Sequence, residues 1–352
     1  MTSRSREEDA FLKSLDPLEI KRILIRSTNW IGDAVMTTPA MGVVRCFFPD
    51  AEIVVAANPL VAQLFSFHPD CDRVLVYDRQ GAHRGLGGFF KFVGELRRER
   101  FDLAILLQNA VEAAILAALA GIPRRAGYRS DGRGLLLSHG VPVGAAEKRL
   151  HHTDYYLRML SGVGIVGETG PLQLACTAEE IAEAEARLGG GQWLAVNPGA
   201  AYGSAKRWIP QRFAEVADRL AEAHGLRVLL TGGPGEVEIG RDIEQAMSHR
   251  PLNLIGQTRV REMMALLSRC RLMITNDSGP MHVAAAFGVP LVAVFGPTDH
   301  TTTSPLSERA RIVRKPVDCA PCLLRQCPTD HRCMEAIEVA DVLAAAEELL
   351  KG

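Results

Sequence analysis

Short apolar runs recur through this chain, each followed by a turn and a segment of helical spacing, and they come in two successions. The first comprises Arg22–Arg26, Ile53–Ala56, Arg73–Tyr77 and Leu103–Leu107, with helices read over Ala34 to Phe47 and near Pro59–Phe67, Phe89–Arg98 and Val111–Ala120. The second comprises Trp193–Asn197, Arg227–Thr231, Leu252–Ile255, Leu272–Ile274 and Leu291–Phe295, with Arg311–Arg314 as a last candidate strand. Its helices are read near Gln211–His224, Gly235–Met247, Val260–Ser268 and Ile337–Lys351. Strands this short and apolar are buried on both faces, and strands alternating with helices build a parallel sheet covered on both sides. The chain therefore reads as α/β, with two Rossmann-like units in tandem. A length of 352 residues suits two cores better than one. The expected division is an extension at 1–20, a first domain at 21–172, a second at 173–335 and a C-terminal helix at 336–352.

Net charge is −1, which gives no overall electrostatic case for nucleic acid. The longest apolar run, Ala113–Ala120, is far short of the ~20 residues of a membrane span. Residues 1–17 are polar and charged and lack the apolar stretch of a secretory signal. Four of eight cysteines lie between Cys319 and Cys333, and the others sit in apolar surroundings, as buried reduced thiols do. These features point to the cytoplasm.

In doubly wound sheets, ligands bind outside the carboxyl ends of the strands. The stretch Asn276-Asp277-Ser278-Gly279-Pro280-Met281-His282 stands at such an end. Ser278 or Asp277 can cap the following helix, and that helix start favours an anion such as phosphate. His282, one turn on, can either donate to the anion or pack in the core. The loop from Asn197 to Trp208 carries small residues, Ala200, Ala201 and Ser204, which permit close approach, and Lys206, a point charge suited to phosphate. The apolar Trp208-Ile209-Pro210 that follows predicts a fixed loop. In Thr231-Gly232-Gly233-Pro234-Gly235-Glu236, the carboxylate of Glu236 can take a ribose diol or complement a helix start.

In the first unit, Asp33 ends the loop Ser27-Thr28-Asn29-Trp30-Ile31-Gly32-Asp33. It reads as a helix cap or as a carboxylate able to take a proton from a hydroxyl. The stretch Gly121 to His152 holds Arg124, Arg125, Arg129, Arg133, Lys148 and Arg149, as a solvated face or a basic wall for an anionic ligand. Cys319, Cys322, Cys327 and Cys333, with His331 nearby, can hold a structural metal or stay as reduced or redox-labile thiols.

Taken together, these loops resemble those of the ADP-heptose lipopolysaccharide heptosyltransferases, glycosyltransferase family nine, and most closely its type II members. The resemblance runs from about Lys21 to the C-terminus. It is carried by Arg26 to Pro39, by Asn197-Pro198-Gly199-Ala200 with Lys206-Arg207-Trp208, and by Asn276 to His282 with Phe295-Gly296-Pro297-Thr298. It implies a GT-B architecture, with two Rossmann-like domains facing a central cleft. The N-terminal domain would take a Kdo-lipid A acceptor already bearing one heptose, and the C-terminal domain ADP-L-glycero-β-D-manno-heptose. Transfer would invert the anomeric centre. By motif, Asp33 would be the general base and Lys206 the stabiliser of the departing diphosphate. Asn29, Ala200, Ala201, Ser204, Glu236, Asp277, Ser278, Gly279, His282 and Thr298 would contact substrates. Because Asp277 is an anion, it is better placed on sugar hydroxyls or loop N–H groups, leaving phosphate to Ser278 and the backbone.

The resemblance implies no catalytic metal, no nucleic-acid partner and transient contact with the cytoplasmic face of the inner membrane. The only Asp-x-Asp, Asp70-Cys71-Asp72, precedes a strand, which fits a metal-independent reaction. The alternatives are a family-nine transferase using a type I or III acceptor, or a nucleotide-sugar-modifying Rossmann enzyme. The second would need a glycine-rich fingerprint after the first strand, where Ser27–Asp33 has a single glycine.

Overall fold

The structure, a computed structural model, describes residues 15–351. The extension read at 1–20 lies outside the described residues as far as position 14. Two compact units divide after Ala175.

The first unit holds β1 (Arg22–Arg26), β2 (Glu52–Ala57), β3 (Arg73–Val76), β4 (Leu103–Leu106), β5 (Arg124–Tyr128) and β6 (His139–Val141). They form one parallel sheet in the order β3-β2-β1-β4-β5-β6. Ile25 of β1 sits beside Val55 and Ile105. All three are at most 1 % exposed, because helices cover both faces of the sheet. The strand order reverses between β1 and β4, so the loops leaving those two strands flank a crevice.

Two readings of this unit need correction. The helix expected over Ala34 to Phe47 is two helices, Ile31–Met36 and Thr38–Phe47. They break at Thr37, whose hydroxyl donates to the Ala34 carbonyl at 2.6 Å. Asp33 is therefore inside a first helical turn, while Trp30 occupies the cap position. The Arg-rich stretch from Gly121 is only in part a solvated face: Arg129, Lys148 and Arg149 are exposed, but the stretch also supplies β5 and β6. Arg133 is fully buried there, and Arg125 is tied to the Leu136 carbonyl at 2.6 Å.

The second unit repeats the plan with β7 (Gln192–Asn197), β8 (Leu226–Leu230), β9 (Leu252–Asn253), β10 (Leu272–Asn276), β11 (Leu291–Val294) and β12 (Ala310–Val313). The order is β12-β11-β10-β7-β8-β9, all parallel, with its reversal between β7 and β10. Helix Pro210–His224 buries Phe213, Val216, Ala217 and Leu220 on one face of this sheet. The C-terminal helix Val339–Lys351 belongs to the same unit and adds Val342, Leu343 and Ala346 to that core.

Candidate active site

In the first unit, the loops after β1 and β4 border a cavity of about 450 Å³, closed on a third side by helix His152–Ser161. Thr28, Asn29, Asp33, Asn109, Lys148 and His152 are among its lining residues. Asp33 Oδ1 lies 3.3 Å from His152 Nδ1, with both side chains about one-third exposed. A carboxylate only accepts, so the imidazole Nδ1–H donates. Tyr156, at the same wall, has its phenol held protonated well above its ordinary range by burial, with the charge of Asp33 adding to the effect. Two buried arginines brace the loops that line the cavity. Arg26, brought down to about 10 by desolvation, donates to the carbonyls of Ser27 and Ala56 at 2.8 and 3.1 Å. Arg133 donates to the Tyr128 carbonyl at 2.8 Å, to the Gln108 carbonyl, and to Asn109 Oδ1 at 2.9 Å. Asn109 in turn donates to the Tyr155 hydroxyl at 2.9 Å.

In the second unit, two asparagines at strand ends tie the loops together. Asn197 donates to the Thr231 carbonyl at 2.8 Å and accepts from Ser278 Oγ at 3.0 Å. Asn276 donates to the Pro198 carbonyl at 2.7 Å and accepts from the Trp208 backbone N–H at 3.0 Å. With Trp208 buried and its indole N–H on the Ile337 carbonyl, the loop carrying Lys206 is fixed, as its apolar flank predicts. Lys206 Nζ stands 2.5 Å from Asp277 Oδ2, with side chains 13 % and 6 % exposed. Thr298 Oγ1 donates to the same oxygen at 2.6 Å. The charge of Asp277 is thus met inside the protein by one cation and one hydroxyl.

Glu236 occupies the space between two glycine loops. Its Oε2 accepts from the Gly233 N–H at 2.7 Å. A Cβ on Gly199 would fall 1.9 Å from the Glu236 carboxylate, so only glycine admits it. Burial raises the carboxyl above its ordinary range, against the backbone N–H groups of Gly233 and Ala200. Ser278 does not cap helix Gly279–Ala286 as expected. Its hydroxyl turns back to Asn197 Oδ1 and lies 3.0 Å from Thr275 Oγ1, which leaves the helix-start N–H groups without a side-chain cap. His282 is buried beneath the turn, Ala200 is buried, and Ala201 and Ser204 are exposed.

The cysteine-bearing loop packs on the Lys206 loop. Arg325 O accepts from the Ala205 N–H at 3.0 Å, His331 Nε2 donates to the Ala205 carbonyl at 2.6 Å, and the Tyr202 hydroxyl donates to Leu323 O at 2.8 Å. A Cβ on Gly203 would meet Arg325 O at 2.1 Å. Lys206 and Arg325 both lie over the Tyr202 ring, at 5.0 and 5.2 Å. Among the described residues, no three His, Cys, Asp or Glu side chains gather to hold a metal, so the four thiols as placed do not form a ligand set. Cys319 is exposed while Cys333 is buried. Of the remaining cysteines, Cys71 and Cys270 are buried as expected, whereas Cys46 is exposed. The Asp-x-Asp is structural: Asp72 Oδ2 accepts from the Ile53 N–H at 2.7 Å and from Arg45 at 2.6 Å.

A family model described as glycosyltransferase family 9 (heptosyltransferase) matches residues 89–332, well over half of the chain. The chain belongs to glycosyltransferase family 9. It is 31 % identical over 307 residues to the lipopolysaccharide heptosyltransferase 2 of Escherichia coli K12, covering 83 % of this chain and 88 % of that one. A solved structure of an E. coli ADP-heptose LPS heptosyltransferase II superposes with a TM-score of 0.77 at 27 % identity, over 94 % and 98 % of the two chains. A glycosyltransferase family 9 structure from Veillonella parvula superposes with a TM-score of 0.84 at 25 % identity, over 96 % and 98 %. The family 9 protein is thus a glycosyltransferase with the α/β, GT-B fold class expected from its sequence.

The structure places Asn29 and Asp33 at the cavity of the first unit. The ten other expected site residues fall at or beyond the carboxyl ends of β7, β8, β10 and β11. Sequence reasoning did not find His152, Arg133 or the pairing of Lys206 with Asp277. The doublet His151-His152 before a helix was the one available signal for the first, and Arg133 was hidden among exposed-looking arginines.

Proposed function

We propose that this family 9 enzyme moves a heptose from ADP-L-glycero-β-D-manno-heptose to the first heptose of a Kdo-lipid A acceptor, inverting the anomeric centre. The relatives named heptosyltransferase 2 support this choice of donor and acceptor. The observation that carries it is Lys206, a nearly buried cation fixed at the switch point of the second sheet.

The reaction is a single displacement. An acceptor hydroxyl attacks the anomeric carbon, and its proton passes to Asp33. His152 donates to one carboxylate oxygen and leaves the other for the acceptor. As the new C–O bond forms, the bond from the anomeric carbon to the diphosphate breaks and its electron pair leaves with ADP. Lys206 and the uncapped N–H groups at Gly279 meet the charge that grows on the diphosphate. Asp277 holds Lys206 in place, with Thr298 completing the carboxylate's bonds. Glu236 takes the ribose diol through its remaining lone pairs, Ala200, Ala201 and Ser204 shape the approach, and Asn29 contacts the acceptor. The side chains at hand supply the proton and charge chemistry, so no resident metal enters a step. The acceptor's acyl chains place the enzyme at the cytoplasmic face of the inner membrane as a peripheral protein.

The linkage formed tests the reading. Incubation with the β-configured donor, followed by NMR of the product, should show an α-linked heptose. A β-linkage, or ADP release with no sugar transferred, would overturn it.

A further inference from the structure

Helix Gly85–Glu99, which follows β3, carries two large apolar side chains in water: Leu86 is 80 % exposed and Phe90 59 %. Four residues apart, they share one stripe of the helix; it turns into the core one turn on, at Val93, and Phe92 and Leu96 enter the core on an adjoining face. About 100° round the helix from that pair stand Lys91 and Arg98, with Arg84 at the helix cap. All three cations are exposed.

Charge in this segment is one-sided. Residues 79–100 hold six Lys or Arg against two Glu. Glu99 is taken by Arg22 and Arg73, and Glu95 by His83. The neighbouring Glu112 is taken by Arg79 and the Tyr77 hydroxyl. Among the described residues, no carboxylate pairs with Arg84, Lys91 or Arg98. A helix with exposed Leu and Phe flanked by uncompensated cations has the composition of an interfacial segment that lies on an anionic lipid surface. Position agrees with composition. Leu86 and Phe90 fall in the first two turns after β3, at the carboxyl edge of the sheet, where the cavity beside Asp33 also opens.

We infer that the Leu86–Phe90 face, with Arg84, Lys91 and Arg98, docks this protein on an anionic bilayer and so brings the cavity beside Asp33 to a lipid-borne acceptor. The inference rests on the proposed acceptor being a lipid, and the test keeps the two apart. Full-length protein is floated with vesicles of phosphatidylcholine alone and of phosphatidylcholine with one-quarter phosphatidylglycerol. The wild type should bind only the second, and high salt should release it. Leu86→Ser/Phe90→Ser should lower binding by about tenfold or more, since both apolar anchors are lost. Arg84→Gln/Lys91→Gln/Arg98→Gln should lower it on the order of a hundredfold, at the affinity of each cation for a charged surface.

Both variants should transfer sugar at the wild-type rate to an acceptor glycan stripped of its acyl chains, which controls for folding. Wild type that ignores anionic vesicles, or variants that bind them as well as wild type, would overturn the docking face. So would a switch from dimer to monomer in the Leu86→Ser/Phe90→Ser variant, because a second copy would then cover the stripe. Vesicle binding by a protein inactive on the stripped glycan would leave the face standing and count against the proposed reaction instead.

Discussion

Asp33 Oδ1 and His152 Nδ1 lie 3.3 Å apart although 119 residues separate them in sequence. Helix Ile31–Met36 presents the carboxylate and helix His152–Ser161 the imidazole, so the pair is set by the packing of two helices. Asp33→Asn should cut turnover by about a thousandfold, within the usual range for loss of a general base, and leave ADP-heptose affinity unchanged. His152→Ala should lower kcat with little change in the KM for ADP-heptose. His152→Asn, which keeps an N–H donor, should recover much of the loss. Equal kcat for the two His152 variants would remove the hydrogen bond from the account.

The ion pair of Lys206 with Asp277 has two duties that separate genetically. Lys206→Ala should reduce turnover by about a hundredfold to a thousandfold, as loss of one transition-state donor does. It should also lower Tm, because Asp277, 5 % exposed, then loses its cation partner. Adding Asp277→Asn should restore much of the Tm and none of the turnover. Thermal melts and initial rates on the three variants check this, and a double variant as unstable as the single one would contradict it.

Glu236 gives a pH dependence of known sign. Its folded-state pKa is raised by burial, so between the ordinary carboxyl value and that raised value the native state binds more protons than the unfolded state. Its contribution to stability therefore falls as pH rises through this window, and above it the charged group costs stability in full. Glu236→Gln should raise Tm at neutral pH, with the gain shrinking as pH is lowered through this window and gone below the ordinary carboxyl value. The same substitution should weaken ADP binding. Melts across pH beside calorimetric titration with ADP measure both effects.

Arg133 acts at a distance from substrate. It is fully buried and donates to carbonyls of Tyr128 and Gln108 and to Asn109. Arg133→Met would leave those acceptors without donors, at about 1–3 kcal/mol for each one that finds no substitute. Urea melts should show that loss, and the KM for acceptor should rise while that for ADP-heptose stays put.

The thiols of the second unit should differ in reactivity. Burial pushes Cys333 up to about 11 and Cys270 up to about 12, whereas backbone and hydroxyl hydrogen bonds from Thr329 lower Cys327. At neutral pH, iodoacetamide should label Cys327 first and Cys333 and Cys270 last. Uniform protection of Cys319, Cys322, Cys327 and Cys333, lifted by a chelator, would instead reveal a bound metal.

The sheets were legible where strands are buried on both faces, because Ile23–Ile25, Ile53–Ala57 and Leu291–Val294 leave no polar alternation to confuse. Strands β5 and β6 were not. Arg124-Arg125-Ala126-Gly127-Tyr128 begins with two arginines whose charges are handled by Glu19 and by backbone carbonyls, and β6 is three residues at the sheet edge. The site loops were legible because strand ends locate them. Their inner wiring was not, since Ser278 prefers Asn197, and Asp277 prefers Lys206 and Thr298, only once loops far apart in sequence have met.

The central claim is heptosyl transfer to an inner-core heptose, and paired acceptors test it most directly. The protein is incubated with ADP-heptose and Kdo-lipid A bearing one heptose, or the same acceptor bearing none, and the products are weighed by mass spectrometry. The account predicts the mass of one added heptose on the first acceptor and no change in the second. Addition to the heptose-free acceptor alone, or to neither, would contradict it.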